Sequence, residues 1–284
     1  MPDRNRAARP KRRRLPLRLE VLRTERLTPH MQRVYAGGAG FADFVARNNE
    51  FTDRYVKVVF CADGVDYPEP LDLDAIQQTL PAEHWPVVRT YTVRSVDVAA
   101  GELAIDFVVH GDEGVAGPWA VGVQPGAPMY VMGPGGAYRP DPDADWHLLA
   151  GDEAALPAIA AALESMPAGA LVHAFVEVDS PAEEQPIDSA ADVRLTWLHR
   201  NGAPAGTTTL LPDAVRALEW PVGRVQAFVH GEASLLKTVR PYLLSDREVA
   251  RSDVSISGYW RNGDDEPAFR VWKSQQAKEP APVG

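Results

Sequence analysis

The sequence predicts two domains of different class: an antiparallel β-barrel of about six strands up to residue 140, then an α/β domain built on a parallel sheet. Three observations lead there. The chain has 284 residues, 45% of them apolar, which exceeds one average domain and can fill two cores. Up to about residue 139 the apolar runs are short and bounded by turn residues, whereas beyond residue 145 strand-like and helical runs alternate. Between them lies Pro140-Asp141-Pro142-Asp143-Ala144-Asp145, acidic and punctuated by proline as linkers are.

In the first domain, residues 15–140, strands are expected at Leu17–Leu22, Met31–Tyr35, Tyr55–Phe60, Val87–Val93, Leu103–Val109 and Met129–Met132. Val58, Val59, Ile105 and Val108 supply β-branched side chains that suit a pleated surface. Six such runs imply an antiparallel sheet or small barrel. Leu71, Ala75, Ile76 and Leu80 fall near helical spacing and predict a short helix within 71–85. In the second domain, residues 141–284, strands are expected at Trp146–Ala150, Leu171–Val178, Val193–Leu198, Val225–Val229 and Val254–Trp260. Helices are expected at Asp152–Met166, Thr208–Leu218 and Ala233–Leu243. Continuous apolar strands separated by helices predict a parallel sheet covered on both faces, with ligands bound beyond the carboxyl ends of its strands.

Composition excludes several chemistries. Cys61 is the single cysteine, so there is no internal disulfide, no cysteine-ligated zinc site and no cysteine-held iron–sulfur cluster. That fits a reducing cytoplasm. The net charge of −10 hides a basic segment at residues 1–14, whose net +6 leaves a body of −16. So acidic a body is a poor match to a nucleic-acid backbone, and the segment reads as a solvated, disordered tail. Arg18, Glu20, Arg23, Glu25 and Arg26 interrupt any export-type apolar run of ~7–15 residues. No stretch approaches the ~18 uncharged residues of a membrane span. The expectation is a cytoplasmic protein with no nucleic-acid partner and no membrane span, its oligomeric state left open with a monomer favoured.

Two local sequences exceed what strand building requires. In Arg89-Thr90-Tyr91-Thr92-Val93-Arg94, alternation puts Arg89 and Tyr91 on one face and Thr90 and Thr92 on the other. A guanidinium beside an aromatic ring suits a flat, phosphorylated ligand; an exposed strand with two surface arginines is the plainer alternative. The second is Asp106-Phe107-Val108-Val109-His110-Gly111, followed by Gly114-Val115-Ala116-Gly117-Pro118-Trp119. A strand, a glycine-bearing loop and a helix start present backbone N–H groups that can cradle a pyrophosphate, although most Gly-Pro segments are simple turns.

The order of these blocks resembles the siderophore-interacting proteins, flavin-dependent ferric-siderophore reductases related in fold to the ferredoxin–NADP reductases. The likeness runs on through Gly133-Pro134-Gly135-Gly136, Leu148-Leu149-Ala150-Gly151-Asp152-Glu153, Trp197-Leu198-His199-Arg200, His230-Gly231-Glu232 and Gly258-Tyr259-Trp260-Arg261-Asn262-Gly263. It implies a six-stranded FAD-binding barrel followed by an NAD(P)-binding domain. It sets FAD against Arg89, Thr90, Tyr91 and Thr92, borders it with Asp106, Val108 and His110, and holds its phosphates at Ala116, Gly117, Pro118 and Trp119. Gly151, Asp152 and Glu153 open the nucleotide site, with the helix N-terminus near Asp152, and Gly231, Glu232 and Trp260 join it. The glycine-rich dinucleotide fingerprint is absent, only Gly151 remaining.

Arg200 is the candidate contact for a 2′-phosphate and favours NADPH. Glu177 and Asp179, at the end of the domain's second strand, leave NADH open. Lys57 and Arg261 match basic positions that line the siderophore pocket, and no resident metal is implied. The implied function passes electrons from NAD(P)H through FAD to a ferric siderophore. The residues also leave open a reductase serving another acceptor, or a flavin-binding module without turnover.

Overall fold

The computed structural model describes residues 15–112, 114–264 and 266–276. The basic segment at 1–14 lies outside them. The first domain is a closed barrel of β1 (Leu17–Thr28), β2 (Met31–Gly37), β3 (Tyr55–Phe60), β4 (Val87–Asp97), β5 (Glu102–Val108) and β6 (Pro128–Gly135), in the order β1-β2-β5-β4-β3-β6. Every neighbouring pair is antiparallel. In β1, buried Leu17, Leu19 and Val21 alternate with more exposed Arg18, Glu20 and Leu22, the pattern of a strand with one face on a core. Those inner residues meet Val34, Val56, Val58, Ile105, Phe107 and Met129.

Three helices decorate the barrel: α1 (Phe41–Arg47), α2 (Leu73–Thr79) and α3 (Ala116–Gly122). The helix expected within 71–85 is α2, opened by Asp72, whose side chain accepts from the amides of Asp74 and Ala75, and followed by a 3₁₀ turn at Ala82–His84. Helix α1 has no expected counterpart, because only Phe41 and Phe44 are buried on it and seven residues carry little periodicity.

The second domain is a five-stranded sheet ordered β11-β10-β7-β8-β9, from β7 (Trp146–Asp152), β8 (Leu171–Val178), β9 (Asp192–His199), β10 (Val225–Glu232) and β11 (Val254–Trp260). All four ladders are parallel. Central β7 is buried along its whole length, as a strand covered on both faces must be. Edge strand β9 exposes Asp192, Arg194 and Thr196; charged side chains there discourage pairing with another chain. The covering helices are α4 (Leu156–Ser165), α5 (Leu210–Ala217) and α6 (Leu235–Pro241), and α7 (Glu266–Gln276) follows β11.

The chain runs from β7 outward to β8 and β9, then returns to β10 on the other side. The switch point, where open parallel sheets bind ligands, is therefore the gap between the carboxyl ends of β7 and β10. One expectation is corrected here. Helix α4 begins at Leu156 with Ala155 as its cap residue, not at Asp152, because β7 continues through Asp152 and a turn follows. Among the described residues, no helix is long and apolar enough to cross a membrane.

Candidate functional site

Strands β4 and β5 pair only over their closed ends, from Val93 with Ile105 to Asp97 with Glu102. From Val87 to Thr92, β4 pairs with β3, while Asp106–Val108 pair with β2. The two strands therefore splay, leaving a crevice in the barrel wall. One lip carries Arg89, Thr90, Tyr91 and Thr92. The other carries Asp106 and Val108 and runs through His110 into α3, which starts with Ala116, Gly117, Pro118 and Trp119. The residues expected to bind FAD thus lie on β4 beyond the end of its ladder with β5, on β5 itself and at the start of α3, where diverging strands leave main-chain groups unpaired by the ladder.

The side chains divide the work. Tyr91 is half-buried and leans on Phe107, with ring centroids 4.4 Å apart. Trp119 packs behind them, 5.6 Å from Phe107 and 5.3 Å from Phe60. Its ring is partly buried and packs against the barrel core. Asp106 is buried and accepts two hydrogen bonds from Arg33, at 2.6 and 2.8 Å, which braces β5 against β2. His110 is exposed, and Ala116 is buried. The Arg89 guanidinium donates to the Val88 carbonyl at 3.1 Å. Thr90 is exposed and faces exposed Lys57 across the β3–β4 ladder, with Thr92 opposite Tyr55. An aromatic ring, hydroxyls, a guanidinium and a small-residue helix start around a splayed edge fit a planar heterocycle carrying phosphates.

The crevice meets the second domain at Tyr259. Its hydroxyl lies against Thr92, and burial foremost, then the charge of Asp53, pushes its pKa up while Thr92 pulls it down. Further contacts fix the two domains. Arg94 donates to Glu164 of α4 at 2.7 Å. Glu183 accepts from the Thr28 hydroxyl at 2.5 Å and the His30 amide at 3.1 Å.

At the sheet's carboxyl edge the expected nucleotide residues converge. Asp152 ends β7, and its carboxylate accepts from the amide of Ala154 (3.0 Å), the amide of Glu232 (2.8 Å) and Trp260 Nε1 (2.8 Å). Three strand ends are tied through one side chain. Burial, then the charge of Glu153, pushes the Asp152 carboxyl up to about 7. Gly231 permits the approach: with φ of +144°, it would place a Cβ 2.6 Å from Asp152 Oδ2. A Cβ on Gly151 would lie 2.6 Å from the His230 carbonyl, which explains a glycine where β7 passes β10.

Arg200, just past β9, donates to both oxygens of Glu153, at 3.0 and 2.5 Å, and lies 3.8 Å from Glu177. Trp260 therefore serves as a hydrogen-bond donor to Asp152, and Arg200 as the partner of two acids. Arg261 is held by Asp264 at 3.0 Å and stacks on Trp272 at 5.2 Å. Arg261 lies two residues beyond Tyr259 in the chain, and Lys57 lies across from Thr90 in the β3–β4 ladder.

Sequence reasoning did not place Tyr259 in the site, nor pair Glu153 with Arg200. The last has a signal only once the order β7-β8-β9 is known, since Glu153 and Arg200 then follow strands on either side of Glu177.

A splayed antiparallel barrel beside the carboxyl edge of a parallel sheet defines a two-domain protein of the ferredoxin-reductase fold. A ferredoxin reductase of carbazole 1,9a-dioxygenase shares that fold at 17% identity, with a TM-score of 0.60 over 86% of this chain and 69% of that one. Residues 20–138 match the siderophore-interacting FAD-binding domain, and residues 144–263 match the siderophore-interacting protein model. The chain belongs to the siderophore-interacting protein family.

It is 50% identical over 274 residues to an uncharacterized protein of Mycobacterium tuberculosis, covering 92% of this chain and 96% of that one. It is 34% identical over 261 residues to the ferric vibriobactin reductase ViuB of Vibrio cholerae, covering 89% and 92%. A siderophore utilization protein from T. fusca matches with a TM-score of 0.76 at 40% identity, over 88% of this chain and 94% of that one.

Proposed function

We propose that the chain is a ferric-siderophore reductase that moves electrons from NAD(P)H, through FAD in the barrel crevice, to chelated Fe(III). The observation that carries this reading is the junction at Tyr259 and Thr92, where the crevice meets the carboxyl edge of the second sheet. A donor bound at that edge and an acceptor bound outside the crevice then share one meeting point.

FAD, when bound, would supply the two-electron to one-electron redox chemistry that the side chains lack. The protein's own residues bind and orient. Arg89, Thr90 and the first turn of α3 at Ala116–Pro118 would hold the cofactor. Tyr91, backed by Phe107 and Trp119, offers a flat apolar surface that excludes water from one side. Asp152 fixes β10 and β11 relative to β7, and so sets where Tyr259 stands. Lys57, exposed on β3, gives local positive charge to an otherwise acidic body, which an anionic chelate requires, and Arg261 adds a guanidinium that Asp264 orients. No general base or nucleophile is needed, because the iron changes oxidation state without a bond to the protein. Two ferric ions are reduced per nicotinamide oxidised, and Fe(II) is held less tightly than Fe(III) by hard oxygen ligands.

The test uses purified, desalted protein. It should keep visible flavin absorption and, given NADH or NADPH with ferric catecholate, hydroxamate or carboxylate chelates, should produce Fe(II) captured by a ferrous indicator. Colourless protein that, after incubation with FAD and removal of the free cofactor, still retains no flavin absorption would rule the reading out.

A further inference from the structure

The nucleotide edge holds a buried cation that its neighbours already claim. Arg200 has 6% of its side chain exposed, Glu153 11% and Glu177 8%. Both terminal guanidinium nitrogens donate to Glu153. Glu177 faces the same group from β8 at 3.8 Å, its other oxygen accepting from the Thr208 hydroxyl at 2.9 Å. The loop that carries Arg200 is fastened to the end of β8, since the Arg200 amide donates to the Val178 carbonyl at 3.0 Å and the Asn201 amide to the Asp179 carbonyl at 2.8 Å. One cation thus stands between two carboxylates, with Asp179 adding to the negative field.

We infer that Glu153 and Glu177 withhold Arg200 from the nucleotide, so that the second domain discriminates against a 2′-phosphate and takes NADH as its donor. This deepens the reductase reading and rests on it. A 2′-phosphate brings a charge of about −1.5 to −2 to a cluster that is already net negative. To meet it, Arg200 would have to leave Glu153, stranding a buried carboxylate without its partner. A ribose with a free 2′-hydroxyl makes no such demand, and an acid near the end of a domain's second strand, where Glu177 lies, is the usual partner of that hydroxyl. Burial foremost raises the Glu177 pKa, opposed by the Thr208 hydroxyl, the charge of Arg200 and the Leu211 amide.

The test measures binding apart from turnover. Titration calorimetry of the flavin-loaded protein with ADP-ribose and with 2′-phospho-ADP-ribose should give at least tenfold tighter binding of the unphosphorylated ligand. Glu153→Gln should release Arg200 and strengthen binding of the phosphorylated ligand, narrowing or reversing the ratio. The double variant Glu153→Gln/Glu177→Gln should go further, and circular dichroism melting identifies any variant that has not folded. Equal or tighter binding of the phosphorylated ligand by the unaltered protein would overturn the inference regardless of how the variants behave. Binding of neither ligand would instead overturn the nucleotide reading of this domain, and the inference with it.

Discussion

Truncating Asp152 should cost the protein about 3 kcal/mol, because one buried carboxylate satisfies donors from three chain segments. Asp152→Ala leaves the Glu232 amide, which is buried, and the Ala154 amide and Trp260 Nε1, which are partly buried, without their acceptor. Losing an acceptor costs roughly 2 kcal/mol for the buried amide and about 1 kcal/mol for each of the others. Part of that sum is returned, since burial disfavours the charged carboxylate, as its raised pKa shows, leaving about 3 kcal/mol. For a chain of this size that is a fall in Tm of roughly 6–12 °C.

Asp152→Asn is the graded control. Its amide oxygen can still serve Glu232 and Trp260, leaving one unfavourable contact with the Ala154 amide and a cost of about 1 kcal/mol. Urea unfolding followed by tryptophan fluorescence measures both, with Trp260 itself reporting on the site. A cost for Asp152→Ala below about 1 kcal/mol, or equal costs for the two variants, would refute the idea that this side chain ties the sheet's edge together.

The same group shapes the pH response together with His230. The Asp152 carboxyl, at about 7 when folded and near 4 when unfolded, adds stability that is complete below about pH 4 and lost as pH rises through 7. His230 runs the other way: burial, then the charge of Lys273, lowers it to about 3, so its contribution is complete above about pH 6.5 and lost on acidification. The two should offset each other between about pH 4 and 6.5. Relative to the unaltered protein, urea midpoints of Asp152→Asn should fall more steeply on acidification, and those of His230→Asn should fall as pH rises. Arg89→Ala should lower FAD occupancy at least tenfold, measured as the flavin absorption the protein retains after free FAD is removed. Lys57→Ala should raise the KM for ferric chelate several-fold with bound flavin unchanged, and loss of flavin in that variant would remove Lys57 from the substrate pocket.

The barrel was legible because alternation is a local signal: Leu17, Leu19 and Val21 declare an inner face without knowing their partners. The parallel strands were legible as continuous apolar runs such as Trp146–Ala150, since burial on both faces leaves nothing polar to interrupt them. What escaped was non-local. The crevice exists because the pairing of β4 with β5 stops at Val93 and Ile105, and no residue in either strand announces where a ladder ends. The packing of Trp119 against Phe60 and Phe107 likewise joins residues far apart in the chain. Asp152, expected at a helix start, ends a strand because Gly231 leaves room for its carboxylate. Helix α7 went unread since it buries little, Phe269 being its buried side chain among those described.

The central claim, that crevice and sheet edge form one electron path, is tested most directly by anaerobic stopped-flow absorption in two half-reactions. Mixing the flavin-loaded protein with NADH should bleach the visible absorption, and mixing the product with a ferric siderophore should restore it, with two Fe(II) formed per flavin. Absorption that neither NADH nor NADPH bleaches, or that a ferric siderophore restores no faster than buffer does, would contradict the account.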